Sequence, residues 1–360
     1  MYELASQLDP DSLHAIARYA YAELAMAGVT AVGEFHYLHH DPQGMPYRDR
    51  LAMADAVVRA ARDAGLRITL LRVLYHRAGA GRPPEGAQRR FADGTVEVGL
   101  RDIEQLIERF ADDPCVAVGI APHSVRAVPR EWIREAALFA RSRGLPLHMN
   151  VSEQRREIDE CLDEHRQRPL HVLYDDDVLD GHFVAVHATH LVREEAQVLG
   201  TSRAFVCLCR TTERDRGDGL PDVQALLGAG SRLCTGVDSH AVSDPFEEAR
   251  AVELDERSRV EGRLVAAEGP VLLEAATRWG YAAIGIEGRH SEDRVVLDAT
   301  DPALVGADVA SLDDAVVFGA GPRSVLDVDV AGEAIVRGGV HREWDAIRSQ
   351  YLQTIKKLGV

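Results

Sequence analysis

Strand-length apolar runs alternate with segments of helical periodicity from residue 29 to about residue 264, and this alternation constrains the fold more than any other feature of the chain. It predicts repeated βα units built around a parallel sheet. The strands are rich in Val, Ile, Ala and Leu, which indicates that each is covered on both faces. Seven strands are predicted, at residues 29–37, 67–76, 115–124, 146–154, 183–190, 204–211 and 232–240. The predicted helices include residues 49–64, 128–143, 192–199 and 245–261.

Polar residues decide between the two sheets that fit this pattern, an open doubly wound sheet and a closed (β/α)₈ barrel. Six of the seven strands have His, Asp or Glu at or near the C-terminal end. A barrel gathers all of these ends around one mouth, so we expect a (β/α)₈ barrel over residues 1–285. The chain opens with an amphipathic helix at residues 11–27, where a strand is expected first. The first barrel strand is therefore expected to be absent or to lie upstream of Met1.

The chain changes character after residue 285. Short strands are predicted at residues 294–298, 314–320, 325–330 and 333–339, and Gly and Pro interrupt them. Residues 330–333 have the composition of a hairpin turn. We expect residues 286–340 to form a partial β-sandwich, and residues 341–360 to form a C-terminal helix.

Charge and cysteine content limit the partners and the compartment. The chain has 41 Lys and Arg against 58 Asp and Glu, a net charge of −17 that disfavours nucleic acid and acidic membrane surfaces. A small acidic substrate is expected instead, and a homodimer as the assembly. The five cysteines are odd in number and lie mostly in apolar runs, which argues against a disulfide framework. With no signal-like start and no long apolar run, the expected location is cytoplasmic.

Three strand ends carry residues suited to acid–base chemistry. Glu153 follows a buried strand, where a carboxylate is either a proton shuttle or an acid that stabilises the next helix. His187 and His190 cannot both point into the barrel, because side chains alternate along a strand, so at most one is catalytic. Asp238 either caps the following helix or lies opposite a Glu and a His, where it would bind a metal and accept a proton from its water.

Other polar positions support several alternatives. Arg126 lies just beyond a strand end, where it would grip a substrate carboxylate or form a surface ion pair. Three histidines within residues 36–40 suggest either metal binding or a solvated loop. Cys207 and Cys209 are too close in sequence for a usual structural zinc pair, so we interpret both as packing residues.

The chain resembles the formiminoglutamate deiminases of the amidohydrolase superfamily. The resemblance runs from Met1 to the C-terminal helix, and the combination of motifs is more specific than any single one. The matching segments are GEFHYLHHDPQG, RRFADG, APHSVRAV, a His/Glu strand ending in SEQ, VHATH, CLCRTTERDRGDG and GVDSH.

The resemblance implies a (β/α)₈ barrel with a β-sandwich, one zinc ion per chain, and hydrolysis of N-formimino-L-glutamate to N-formyl-L-glutamate and ammonia in histidine degradation. By resemblance, Glu153 is the acid/base carboxylate and His187 polarises the formimino group. Asp238 binds metal and takes the proton of its water. Three residues match positions that hold the glutamate part of the substrate: Tyr37, His123 and Arg126.

Two features depart from the family pattern at the metal. The chain contains no strand ending in His-x-His, and Asn150 stands where the family has a third His ligand, three residues before Glu153. Only Asp238 remains of four ligands, so we expect the chain to purify without stoichiometric zinc. A late start would explain the missing His-x-His but not Asn150. The alternatives are a catalytically silent homologue that binds a glutamate-like ligand or a partner, and another amidohydrolase deaminase acting on a cyclic amidine such as a purine.

Overall fold

Seven parallel strands, paired in sequence order, form the larger sheet of the structure, a computed structural model that describes residues 2–239 and 242–359. The strands are β1 (Ala31–His36), β2 (Arg67–Leu74), β3 (Val116–Pro122), β4 (Leu147–Val151), β5 (Phe183–His187), β6 (Phe205–Leu208) and β7 (Arg232–Thr235). All seven predicted strands are confirmed, and each is shorter than predicted. His240, the last residue of the seventh predicted strand, lies outside the described residues. The sheet curls as an incomplete (β/α)₈ barrel with β1 and β7 at its edges.

Helices connect successive strands, as the alternating sequence pattern predicted. The helices found in residues 2–239 and 242–359 are α1 (Tyr2–Ala5), α2 (Pro10–Met26), α3 (Ala52–Ala64), α4 (Val96–Arg109), α5 (Arg130–Arg143), α6 (Arg155–His165), α7 (Pro169–Asp175), α8 (Arg193–Thr201), α9 (Arg210–Arg216), α10 (Val223–Gly228), α11 (Pro245–Val260), α12 (Gly269–Ala276), α13 (Arg278–Ala283), α14 (Leu312–Gly319) and α15 (Trp344–Leu358). No helix in the described part of the chain is both long enough and apolar enough to cross a membrane.

A short segment fills the interior of the curled sheet at the N-terminal ends of its strands. The carbonyl of Ala283, at the end of α13, accepts a hydrogen bond from His148 Nε2 at 2.9 Å. The next carbonyl, of Ile284, accepts one from Thr69 Oγ1 at 2.7 Å. A Cβ at Gly33 would lie 2.7 Å from Ile284 Cγ2, so β1 needs a glycine at this approach. Residues 281–285 therefore close this end, and His148 belongs to the packed interior and not to the mouth.

A buried arginine ties β2 to the elements outside it. Arg72 Nη2 donates to Asp93 Oδ1 and to Asp102 Oδ2, both at 2.8 Å. Asp102 also accepts a hydrogen bond from Arg50 Nε at 2.9 Å. Burial of so large a charged group requires this full set of partners. The network joins the sheet to the loop before α4 and to α4 itself.

The C-terminal part forms a second sheet, antiparallel and four-stranded. Its strands are β8 (Arg294–Leu297), β9 (Val325–Val330), β10 (Glu333–Arg337) and β11 (Val340–His341), in the order β11-β10-β9-β8. Ala331 and Gly332 have φ values of 52° and 78°, which make the predicted hairpin turn. The C-terminal helix is confirmed as α15, whose Tyr351 ring stacks on Tyr19 of α2 with centroids 4.1 Å apart.

The strand predicted at residues 314–320 is wrong, because this segment is the helix α14. Asp313 and Asp314 lie in its first turn, where acidic side chains stabilise a helix. Asp314 Oδ1 also accepts a hydrogen bond from the Gly269 amide at 2.8 Å. Val317 is buried on the packed side of the helix. Tertiary contacts and the acidic first turn therefore override the strand preference of the Val-Val-Phe run.

Candidate active site at the strand ends

The backbone turns sharply where the strands end at the mouth. Ser152, His187, Ala188 and Asp238 have positive φ values of 52°, 68°, 52° and 45°. Non-glycine residues rarely adopt this conformation, and it persists where the surrounding structure imposes it, often at functional sites. Hydrogen bonds between the ends of β4 and β5, such as that of the Ala188 amide to the Val151 carbonyl at 3.1 Å, hold the turns.

His187 lies at the centre of the candidate site, between two carboxylates. Its Nε2 is 3.9 Å from Glu153 Oε1, and its Nδ1 is 3.5 Å from Glu213 Oε1. Burial opposes the charged imidazolium, but Glu213, Glu153 and Asp238 outweigh it and raise the pKa of His187 to about 9. His187 is therefore an imidazolium at neutral pH.

Glu213, which the sequence analysis did not single out, is fixed behind His187. It is fully buried, and its Oε1 accepts a hydrogen bond from the Cys209 amide at 3.0 Å. Its Oε2 accepts one from Arg210 Nη1 at 2.8 Å, and Arg210 Nε donates to Asp255 of α11 at 3.0 Å. One sequence signal could have identified Glu213 as a site residue. It is an acid in the first turn of the helix after β6, within a segment that already matched the family.

The carboxylate of Glu153 points toward the mouth and faces a second cation. Glu153 Oε1 is 3.2 Å from Arg216 Nη2, and Arg216 Nε is 3.1 Å from Asp218 Oδ2. The Glu153 side chain is 14% exposed, and burial raises its pKa against the opposing effects of His187 and Arg216. Arg216 and Asp218 were not predicted as site residues.

Glu157, and not Glu153, binds the backbone at the start of α6. Its two carboxylate oxygens accept the amides of Ser152 and Glu153, at 3.1 and 2.9 Å. Burial raises the pKa of Glu157 to about 7, against these backbone hydrogen bonds. Glu157 therefore fills the role of the acid at the start of the helix, which was one alternative for Glu153. The Glu153 carboxylate faces the mouth instead.

Asp238 lies three residues beyond β7, on the same side as His187. Burial raises the pKa of Asp238, while His187 and Arg216 oppose that rise. The cap of the following helix is Asp244, whose Oδ1 accepts the amides of Phe246 and Glu247, each at 3.0 Å. Asp238 therefore does not serve as that cap.

An aromatic wall with one histidine and one arginine forms the other side of the mouth. The His123 ring lies 5.2 Å from the Tyr75 centroid and 6.4 Å from that of Tyr37. Burial and the nearby Arg126 lower the pKa of His123 to about 3, so this histidine is neutral. Arg126 Nη1 donates weakly to the Ala78 carbonyl at 3.5 Å. Tyr37 thus follows β1, and His123 and Arg126 follow β3, the two strands that flank β2.

The three histidines of residues 36–40 are buried, so the solvated-loop interpretation is wrong. His39 Nε2 donates to the Val73 carbonyl at 3.0 Å, and His40 Nε2 donates to the Ala92 carbonyl at 2.9 Å. Burial and the charge of Arg72 lower the pKa of His36 to about 3. These residues are neutral members of the packed wall behind the mouth.

The described residues do not fit a catalytic zinc ion. Asn150 lies in β4, level with Val186, Cys207 and Cys234 on the neighbouring strands. Within residues 2–239 and 242–359, no three His, Cys, Asp or Glu side chains are arranged to hold a metal. A catalytic zinc site uses three protein ligands, and an amide oxygen replaces imidazole poorly.

All five cysteines are free thiols.

Sequence comparison places these residues in a known family. A model of the amidohydrolase family matches residues 1–292. The formimidoylglutamate deiminase of Pseudomonas aeruginosa is 36% identical over 371 residues, which cover 99% of this chain and 81% of that protein.

Solved structures share the fold. An amidohydrolase from Brucella melitensis superimposes with a TM-score of 0.93 at 31% identity, over 100% of this chain and 82% of that one. An adenosine deaminase from Xanthomonas campestris, solved with bound zinc, superimposes with a TM-score of 0.83 over 99% of this chain and 77% of that one. At 19% identity, the second likeness shows the fold alone.

Proposed function

This chain belongs to the amidohydrolase family, as its motifs predicted, and from that membership we propose that it hydrolyses N-formimino-L-glutamate to N-formyl-L-glutamate and ammonia. It is thus a hydrolase that acts on the C–N bond of a linear amidine. One observation carries the proposal: His187 lies between two carboxylates at the strand ends. It does so in a chain that is 36% identical, over 99% of its length, to a formimidoylglutamate deiminase.

The reaction needs a proton acceptor for water and a proton donor for the leaving nitrogen. Glu153 suits both steps, because its largely buried carboxylate has a raised pKa and faces the mouth. The imidazolium of His187 polarises the formimino group, because it donates a hydrogen bond to the atom on which negative charge develops as water adds to the formimino carbon. Glu213 holds the ring in place from the other side. Asp238, with its raised pKa, is a second acceptor for the proton of the attacking water.

The glutamate part of the substrate requires a cation and a shaped wall. We assign that part to the face formed by Arg126, His123 and Tyr37. Arg126 supplies a planar set of donors for a carboxylate. His123 is neutral and Tyr37 lies beside it, so both would contribute hydrogen bonds and packing and not charge.

Zinc is the cofactor that the family resemblance implies, and a zinc-bound neighbour has the same fold. A bound zinc supplies hydroxide at neutral pH. Of the metal ligands that the resemblance implies, Asp238 is the one charged group in this chain. Asn150 occupies the position of a His ligand. We therefore expect less than one zinc per chain, and no step above is assigned to the metal.

The test is ammonia release from N-formimino-L-glutamate by the purified chain, with and without added zinc. We expect the unmodified chain to release ammonia, and we expect Glu153→Gln to lower the rate of release by about a hundredfold or more. The matched control is Glu274→Gln, an exposed acid paired with Arg278 on the surface. Binding of N-formyl-L-glutamate without ammonia release under either condition would favour the catalytically silent alternative.

We also propose that the protein acts as a homodimer in the cytoplasm. The free state of all five cysteines supports a reducing compartment. β1 and β7 are the edge strands of the larger sheet, and edge strands favour self-association. Light scattering coupled to gel filtration tests the dimer, and a mass of 39.4 kDa in solution would contradict it.

A further inference from the structure

Arg216 is a cation at the mouth for which the proposed reaction has so far given no role. It is the last residue of α9, and Gly217 ends the helix with a φ of 67°. Its side chain is 41% exposed, yet it reaches inward to Glu153 at 3.2 Å. Its Nε is held by Asp218 at 3.1 Å. The guanidinium thus forms an ion pair with Asp218 on its Nε edge and another with Glu153 through Nη2.

The mouth has an excess of negative charge for the substrate it is proposed to bind. Carboxylates of four residues lie around His187 and Arg216: Glu153, Glu213, Asp218 and Asp238. N-formimino-L-glutamate brings two more carboxylates. Arg126 can neutralise one of them, and the other needs a second cation. Both Arg126 and Arg216 act electrostatically on His123, so both guanidinium groups lie near it.

We propose that Arg216 is a second substrate ligand, which binds one carboxylate of a dianionic N-acyl or N-formimino amino acid while Arg126 binds the other. This inference rests on the proposed function, since that function supplies a ligand with two carboxylates. It names Arg216 as the residue that selects dianionic over monoanionic ligands at this mouth.

The geometry also links binding to the chemistry of Glu153. Arg216 meets Asp218 through Nε and Glu153 through Nη2, so the ion pair with Asp218 is compatible with a turn of the terminal nitrogens to a ligand. The contact that is exchanged is the one between Arg216 Nη2 and Glu153 Oε1. A dianionic ligand therefore releases the Glu153 carboxylate for water, whereas a ligand without the second carboxylate leaves Glu153 paired.

The experiment compares ligands that carry one or both carboxylates. Calorimetry measures binding of N-formyl-L-glutamate, of N-formyl-L-norvaline, which keeps only the α-carboxylate, and of N-formyl-γ-aminobutyrate, which keeps only the other. Arg216→Gln should weaken the dianion and one monoanion by about tenfold or more. Arg126→Gln should weaken the dianion and the opposite monoanion. Arg216→Lys should restore part of the loss, because it keeps the charge without the planar fork.

Arg156→Gln is the matched control. Arg156 lies in α6 after β4, pairs with Glu160 at 2.9 Å, and has an exposed side chain. It removes the same charge from a comparable Arg–Glu pair, so it should change no affinity by more than about twofold. Melting temperatures of both variants separate lost binding from lost folding.

The outcomes separate this inference from the proposed function. Equal losses on both monoanions, or no loss on the dianion, would overturn the assignment of Arg216. If the unmodified chain releases ammonia while Arg216→Gln keeps every affinity, the function stands and the assignment fails. If the chain releases no ammonia but Arg216→Gln shows the selective loss, the assignment stands and the function fails. No binding of any of the three probes would overturn the assignment, whereas ammonia release alone decides the function.

Discussion

At the scale of single residues, the neighbours of a buried histidine decide its charge. His123 and His187 both lie at the mouth, yet the pKa of His123 is lowered to about 3 and that of His187 is raised to about 9. Burial acts in the same direction on both. The difference comes from the carboxylates, since Glu213 and Glu153 flank only His187.

Glu213→Gln should lower the pKa of His187 from about 9 toward its ordinary value, because one of the flanking carboxylates is lost. If the imidazolium is the active form, the rate of ammonia release in the unmodified protein falls as pH rises through about 9, and in the variant at a lower pH. Nitrogen-15 NMR titration of His187, assigned by comparison with His187→Gln, measures the pKa directly. Glu274→Gln serves as control, and an unchanged His187 pKa in Glu213→Gln would contradict the prediction.

Asn150→His alone should not create a zinc site. Together with Asp238, an imidazole at this position gives two ligands, and catalytic zinc sites use three from the protein. Elemental analysis of both forms after dialysis against zinc is the measurement. One zinc per chain in either form would show that the ligands lie elsewhere than at Asp238 and position 150.

The site could be predicted from the sequence where a residue lies next to a strand end. Glu153, His187 and Asp238 were selected on that ground, and the structure places all three around one mouth. Glu213 and Arg216 lie on α9, one and two turns beyond β6, so the strand-end rule does not reach them. Their roles depend on distances across the mouth, which follow only from the folded backbone.

At the scale of secondary-structure elements, strand centres were predictable and strand ends were not. Apolar composition identified all seven strands of the larger sheet, because burial on both faces leaves little room for polar residues. The ends were predicted too long because Ser152, His187 and Asp238 turn through positive φ values. Non-glycine residues rarely adopt that conformation, and although Asp and His are enriched in it, the residue type alone does not predict it at a given position.

The helix α14 shows the limit of local preference at this scale. Its Val-Val-Phe run suggested a strand, whereas its position against Gly269 and its buried Val317 require a helix. Segment 281–285 was likewise not predicted as the closure of the sheet interior. Both depend on contacts between parts of the chain that are far apart in sequence.

Arg72→Met should destabilise the protein by about 3 to 5 kcal/mol, because it leaves Asp93 buried without its cation and Asp102 with Arg50 alone. The free energy of unfolding from urea titration measures this loss. Arg278→Met, which removes an exposed arginine paired with Glu274, should cost less than about 1 kcal/mol. Similar losses in the two variants would show that the Arg72 network does not hold β2 to α4.

At the scale of the whole molecule, buried acids make stability depend on pH. Burial raises the pKa of Glu157 and of Glu248 to about 7, although both accept backbone hydrogen bonds. The folded state then keeps protons that the unfolded chain releases near pH 4.5. These two groups therefore favour the folded state below pH 4.5, and that contribution is lost as pH rises through about 7.

The double variant Glu157→Gln, Glu248→Gln should have a flatter dependence of melting temperature on pH. Relative to the unmodified protein, its melting temperature should improve as pH rises from 4.5 to 7, whatever constant offset the lost hydrogen bonds cause. Glu274→Gln is again the exposed control. Parallel curves for the double variant and the unmodified protein would contradict the prediction.

Because residues 281–285 close the opposite end of the sheet, the substrate reaches the site from the strand-end mouth, where Arg126 and Arg216 lie. A ligand that enters amidine first leaves its acidic tail beside these arginines. The bound tail then covers the reacting group from the side of the mouth.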